Sequence, residues 1–154
     1  MNPSAALFFD FDGVLGSDRV WSQNRTKRWT CPAAWLDPIL VARLNRLARR
    51  TGAGVVISTS WRKYLGLRGV EGVLRACGFT GTVIGVTPVF GEKPEDWRAE
   101  EIAAWLIDRP AIERWVVVDD LDLGVDPEHF VRTEMLIGLT DADCDRAARI
   151  LGAA

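Results

Sequence analysis

Histidine is nearly missing from this chain: His129 is the only one among 154 residues. A histidine-rich metal centre or a histidine phosphorelay therefore has little to draw on. Cysteine is sparse as well. Cys31, Cys77 and Cys144 are odd in number, far apart and without CxxC spacing. That argues against a disulfide framework or a zinc site, and for reduced thiols in a cytoplasmic protein. No apolar run approaches the roughly 20 residues that cross a bilayer. The chain enters Leu7–Asp10 with neither a basic start nor a small-residue cleavage site, so no signal peptide is expected. Excess positive charge is also absent: 19 Lys and Arg stand against 21 Asp and Glu, a formal net charge of −2. A broadly basic nucleic-acid-binding domain is disfavoured, though a local basic patch is not. No GxGxxG follows the first apolar run, which counts against a dinucleotide-binding Rossmann protein. Internal repeats, low-complexity tracts and interdomain linkers are likewise missing.

What remains is the composition of an ordinary globular protein, 48% hydrophobic and 26% charged. The length suits one domain, residues 1–154, with a substantial core. Seven tryptophans are many for that length, and most are expected in core or rim packing. The chain is organised around Leu7-Phe8-Phe9-Asp10-Phe11-Asp12-Gly13-Val14-Leu15. The apolar half reads as a strand buried on both faces, as in a parallel sheet. Asp10 and Asp12 then stand at its carboxyl end, where open α/β sheets place their ligands. Two acids this close repel unless a cation lies between them, and hard oxygen donors suit Mg²⁺. The competing reading of the motif alone is a solvated Asp-Gly turn.

From Gly16 the sequence turns polar, and residues 16–35 read as a loop or small flap over the carboxyl edge. Arg19, Arg25, Lys27 and Arg28 alternate there with Trp21 and Trp29, a mixture able to hold phosphate and stack a base. Asp37-Pro38 is an N-cap followed by proline at the first helical position, opening a helix that should end before Gly52. Val55–Ile57 predicts a second buried strand, running into Ser58-Thr59-Ser60-Trp61-Arg62. A helix is expected from about Gly69 to Cys77 with Gly78 as its stop. A third strand is expected over Thr82–Val86. Glu95–Ile107 reads as an amphipathic helix with Ile102, Trp105 and Leu106 inward, and with Glu95 and Asp96 suited to its dipole. Trp115–Val118 is a fourth strand, again ending in carboxylates, Asp119 and Asp120. Phe130–Ile137 is a fifth. Thr140 with Asp143 predicts a capping box for the last helix, which runs to about Leu151. This alternation specifies a parallel α/β sheet of about five strands with helices on both faces.

In such a sheet the strand ends gather on one edge, bringing Asp10 and Asp12, Thr59, Lys93 or Arg98, and Asp119 with Asp120 together. Metal-assisted phosphoryl transfer needs such a set: a nucleophile, charge neutralisation and a proton donor. At these residues the chain resembles the haloacid dehalogenase (HAD) superfamily. Phe9-Asp10-Phe11-Asp12-Gly13-Val14-Leu15 is similar to its DxDG(T/V)L signature. Val56-Ile57-Ser58-Thr59-Ser60 resembles its second motif, and Val116-Val117-Val118-Asp119-Asp120 its acidic fourth motif. Glu101-Ile102, Trp105-Leu106 and Trp115–Asp122 are similar to a small phage and bacterial subgroup, some members of which have been linked to nucleic-acid repair.

The resemblance implies a Rossmann-like three-layer fold with the first motif on a central strand. It implies a Mg²⁺-dependent phosphomonoester hydrolase working through an aspartyl-phosphate. Asp10 would be the nucleophile. Asp12 would act as acid and then base, touching Mg²⁺ through its backbone carbonyl. Asp119 and Asp120 would complete the metal site. Thr59 would donate to the phosphoryl group, helped by the amide of Ser60, with Gly13 among the phosphate-binding residues. The third-motif cation stays open between Lys93, which is preferred, and Arg98. Only about two dozen residues separate Asp12 from Asp37, too few for a folded cap, so the site should be nearly open. Open sites accept phosphates on large molecules, including nucleic-acid ends. Arg19, Arg25, Trp61 and Arg62 are the expected substrate contacts. A small-molecule phosphatase, a phosphotransferase and an idle binding module of the same fold are the alternatives.

Overall fold

The structure, a computed structural model, describes residues 2–154 apart from the side chains of Pro94 and Glu95; the dipole role expected of Glu95 lies outside it. Five strands form one wholly parallel sheet: β1 (Ala5–Phe9), β2 (Gly54–Ile57), β3 (Val83–Val86), β4 (Arg114–Asp119) and β5 (Phe130–Arg132). Their order is β3-β2-β1-β4-β5, which puts the Asp10 strand in the middle. The helices are α1 (Asp18–Trp21), α2 (Pro38–Thr51), α3 (Arg62–Ala76), α4 (Arg98–Ile107) and α5 (Asp141–Ile150).

Alternation within β1 explains its unbroken apolar run. Ala5, Leu7 and Phe9 face one core with Leu44 of α2, Val70 and Leu74 of α3, and Ala147 of α5. Ala6 and Phe8 face the other core with Ile102 and Trp105 of α4, where Phe8 meets Trp105 edge-on at 5.3 Å. A central strand covered on both faces has no solvent side to make polar. The result is the three-layer, Rossmann-like α/β/α arrangement expected from the strand and helix alternation.

Helix ends follow their sequence signals closely. Asp37 caps α2 by accepting from the Ile39 amide at 2.9 Å, and Gly52 ends it in the left-handed region at φ 67°. Thr140 and Asp143 form the reciprocal capping box on α5. Three elements depart from expectation. The helix predicted from Gly69 begins at Arg62, with a break at Gly66, whose φ of 66° and ψ of −178° only glycine adopts easily. The helix predicted from Glu95 starts at Arg98, after a single 3₁₀ turn at Pro94–Trp97, so the acids of its first turn are Glu100 and Glu101 rather than Asp96. The fifth strand stops at Arg132 instead of Ile137. There the chain leaves the sheet edge and turns, and the Leu139 amide bonds the Val14 carbonyl at 2.8 Å.

Candidate active site

Because all five strands run the same way, Asp10, Ser58, Thr87, Asp120 and Thr133 each follow the last residue of a strand on the same edge. Asp10 directly follows β1, whose Phe9 pairs with Ile57 on one side and Val118 on the other. Carboxylate oxygens of Asp10, Asp119 and Asp120 lie within 4.8 Å of one another. Gly13 makes this approach feasible. Its φ is 75°, and a Cβ there would fall 2.6 Å from the Asp120 carboxyl carbon. Thr133 secures the same turn by donating its hydroxyl to the Gly13 carbonyl at 2.7 Å.

Arg98, the first residue of α4, neutralises the cluster from within the protein. Its Nη1 donates to Asp119 Oδ2 at 2.6 Å and lies 3.1 Å from Asp10 Oδ2, with Arg98 and Asp119 both sealed from solvent. Burial opposes the guanidinium charge, but Asp10 and Asp119 outweigh it and hold the Arg98 pKa above its ordinary value. Burial, then the charge of Asp10, raises the Asp119 pKa well above the carboxylate range; the same two causes raise that of Asp120. Three hard, charged oxygen donors converging on one point fit a Mg²⁺ ion held by Asp10, Asp119 and Asp120.

Asp12 belongs to a separate group. Its Oδ1 accepts from Trp35 Nε1 at 2.9 Å, and its Oδ2 accepts from Trp61 Nε1 at 3.0 Å and Arg28 Nη2 at 2.7 Å. Arg28 in turn sits among three indoles, its Cζ 4.9 Å from the Trp29 ring, 5.7 Å from Trp35 and 5.4 Å from Trp61. Burial and the Asp10 charge raise the Asp12 pKa, against the lowering effects of Arg28 and the two indoles. The motif thus splits its acids: Asp10 faces the carboxylate cluster, and the Asp12 carboxylate faces the aromatic flap.

Several sequence-based expectations need correcting. Trp61 is fully buried and donates to Asp12, so it is not an exposed substrate contact. Arg62 is also interior. It donates to the carbonyls of Thr59, Thr87 and Pro88 and forms an ion pair with buried Glu101, which itself accepts from the Phe90 amide at 2.8 Å. Desolvation, joined by the nearby charge of Arg98, depresses the Arg62 pKa despite Glu101. Arg19 turns away to Asp37, which it grips through Nε and Nη2 at 2.7 and 2.8 Å. Arg25 is exposed in the flap. Arg98, rather than the preferred Lys93, reaches the acids; Lys93 is exposed and lines a neighbouring cavity. Thr59 is buried at the end of β2, its Oγ1 accepting from the Trp61 amide at 3.4 Å, and Ser60 opens onto the same cavity as Lys93. Sequence reasoning named Arg28 only among the flap cations and Glu101 only within a motif, and it paired neither Arg28 nor Trp35 with Asp12, nor Glu101 with Arg62. Only composition marked Arg28 and Trp35, since the flap has no periodicity that would aim a side chain.

A central parallel sheet with carboxylates on the ends of β1 and β4 is consistent with an HAD-type α/β domain. The model of a family described as the HAD domain in Swiss Army Knife RNA repair proteins matches residues 6–144, and the chain belongs to that family. Neither the curated proteins nor the solved structures contain a match. Among the described residues no helix is long and apolar enough to cross a membrane.

Proposed function

We propose that this protein is a Mg²⁺-dependent phosphomonoester hydrolase that removes phosphate from nucleic-acid ends through an aspartyl-phosphate on Asp10. The observation carrying this reading is the separation of the two motif acids. Asp10 lies with Asp119, Asp120 and Arg98, while the Asp12 carboxylate is held apart by Trp35, Trp61 and Arg28. Two neighbouring carboxylates in different surroundings can take different roles, one as nucleophile and one as acid–base.

Asp10 attacks phosphorus, the bond to the leaving oxygen breaks, and Asp12 gives that oxygen its proton. Water then attacks the phosphorus of the acyl-phosphate, Asp12 takes the proton back, and inorganic phosphate and free Asp10 result. Mg²⁺, when bound by Asp10, Asp119 and Asp120, supplies the charge neutralisation that lets an anionic nucleophile meet an anionic phosphate. Arg98 holds Asp10 and Asp119 in register, and its fixed charge limits their mutual repulsion. Thr59 and Ser60 donate to the phosphoryl oxygens. The family's description as an RNA-repair domain supports a nucleic-acid end as the substrate.

The test uses an aryl phosphate with Mg²⁺. Hydrolysis should be abolished by EDTA and by Asp10→Asn, and rapid acid quench should trap one labelled phosphoryl group per wild-type chain. Full activity in Asp10→Asn would overturn the covalent mechanism. A parallel screen compares 3′- and 5′-phosphorylated oligonucleotides with nucleotides, sugar phosphates and phosphopeptides; uniform rates would remove the support for nucleic-acid ends.

A further inference from the structure

Beside Asp12 the surface opens into a cavity of about 660 Å³, most of whose lining the proposed chemistry leaves unused. Arg28 and Ser60 form the side of it nearest the acids, because Arg28 also holds Asp12 and Ser60 follows Thr59. Trp29 and Tyr64 contribute two aromatic rings, and Lys63 and Lys93 two ammonium groups. The rings are large apolar surfaces left in water: Trp29 is 53% exposed and Tyr64 69%. Their centroids are 5.6 Å apart with planes at 66°, so they form a corner rather than a closed stack. Trp29 is backed by Trp61 at 5.6 Å and by Arg28, which leaves Tyr64 the more open of the two. The corner connects to Asp12 through Trp61, which packs behind Trp29 and donates to that carboxylate. The flap's other two tryptophans are consumed internally: Trp21 stacks on Trp35 at 5.5 Å.

We infer that this cavity is a nucleotide subsite, in which the base next to the scissile phosphate stacks on Tyr64 against Trp29 and its internucleotide phosphate lies on Lys63 and Lys93. The inference rests on the proposed phosphatase reading for what lies at Asp10, and adds the recognition of the substrate body. An exposed aromatic platform beside cations is what an unpaired base and its backbone require, because every base has a face to stack and every linkage carries a charge. A phosphopeptide would draw its affinity from clustered guanidinium groups instead. Here the one guanidinium lining the cavity among the described residues, that of Arg28, is already committed to Asp12. Glu92 also lines the cavity, and its backbone carbonyl accepts from Lys63 Nζ at 2.6 Å, which steadies that ammonium group at the rim. A single-stranded oligonucleotide is therefore the occupant.

Binding can be read without turnover. Fluorescence anisotropy with a labelled, terminally phosphorylated single-stranded hexanucleotide is measured on the full chain carrying Asp10→Asn, alone and combined with Tyr64→Ala, Trp29→Ala or Lys63→Ala/Lys93→Ala. Loss of a base stack should weaken binding roughly 5- to 100-fold for Tyr64→Ala. The double lysine variant should flatten the slope of log affinity against log salt by about 0.7 for each phosphate that is no longer neutralised. Quenching of tryptophan fluorescence on titration, absent in Trp29→Ala, should accompany binding. Melting temperatures equal to the parent's identify variants that fold normally, and Trp29→Phe serves where Trp29→Ala does not. Unchanged affinity in Tyr64→Ala and in the lysine pair, or equal affinity for a phosphopeptide or a mononucleotide, overturns the subsite. The two readings fail separately. Aryl phosphate hydrolysis that depends on Asp10 but without this binding contrast leaves the phosphatase and removes the subsite. The binding contrast without hydrolysis of any phosphate does the reverse.

Discussion

Arg98 donates through Nη1 to Asp119 at 2.6 Å, and neither side chain reaches solvent. The same nitrogen lies 3.1 Å from Asp10, so one guanidinium serves acids on two neighbouring strands. Removing it strands two buried carboxylates. Arg98→Met should lower stability by about 3–5 kcal/mol in EDTA, the usual cost of breaking a buried ion pair. Mg²⁺ should recover part of that loss by binding the folded state. Lys93→Ala, at an exposed position, should move stability by no more than about 0.5 kcal/mol. Thermal melts with and without Mg²⁺ decide the matter, and equal behaviour of the two variants would show that Arg98 is not the cation of the cluster.

Trp61 and Trp35 each give Asp12 one indole N–H. Phe at either position keeps a ring and deletes the donor. Hydrogen bonds to charged groups are worth about 1.5–3 kcal/mol, which limits the loss of turnover to roughly a hundredfold, and about tenfold is expected. The fall should appear in kcat more than in KM, because the bonds orient an acid rather than hold substrate. A KM effect alone would place these tryptophans in binding.

Gly13 combines a left-handed φ with a close approach to Asp120. Gly13→Ala should cost more than about 1 kcal/mol, since it faces both the strained φ and the Asp120 carboxyl. Displacing Asp120 should also weaken Mg²⁺ binding, measurable by titration calorimetry. Wild-type stability together with wild-type Mg²⁺ affinity would contradict this geometry.

Asp37 caps α2 and is held by Arg19, so its pKa lies below the ordinary carboxylate value, chiefly through the Arg19 hydrogen bonds. Its contribution is therefore complete above the unfolded pKa near about 3.9 and disappears as pH falls through the lower folded value. Asp37→Ala should cost about 0.5–2 kcal/mol at pH 7, the range for losing an N-cap. In urea denaturation the gap between wild type and variant should close as the medium is acidified past the unfolded value and through the lower folded one. A gap as wide there as at neutral pH would mean that Asp37 acts without its charge.

Local sequence determined much of this protein. Each strand end that carries a candidate site carboxylate was legible, because a strand buried on both faces must be apolar throughout, and a carboxylate that stops it stands out. The caps at Asp37 and Thr140 were equally legible, since a cap depends only on residues within one turn of it. The family signature at Asp10–Leu15 suggested the chemistry proposed for them. Tertiary structure decided which cations and aromatics serve that chemistry. Lys93 and Arg98 are five positions apart, and only the 3₁₀ turn before α4 settles that Arg98 points to the acids. Trp61 and Arg62 lie just after Thr59 and were expected to contact substrate, yet a helix start at Arg62 buries both and leaves Lys63 and Tyr64 at the surface. The flap sends Arg28 and Trp35 across 16 and 23 residues to Asp12. Contacts of that reach carry no period in the chain, so which polar tip meets which carboxylate depends on how the layers pack.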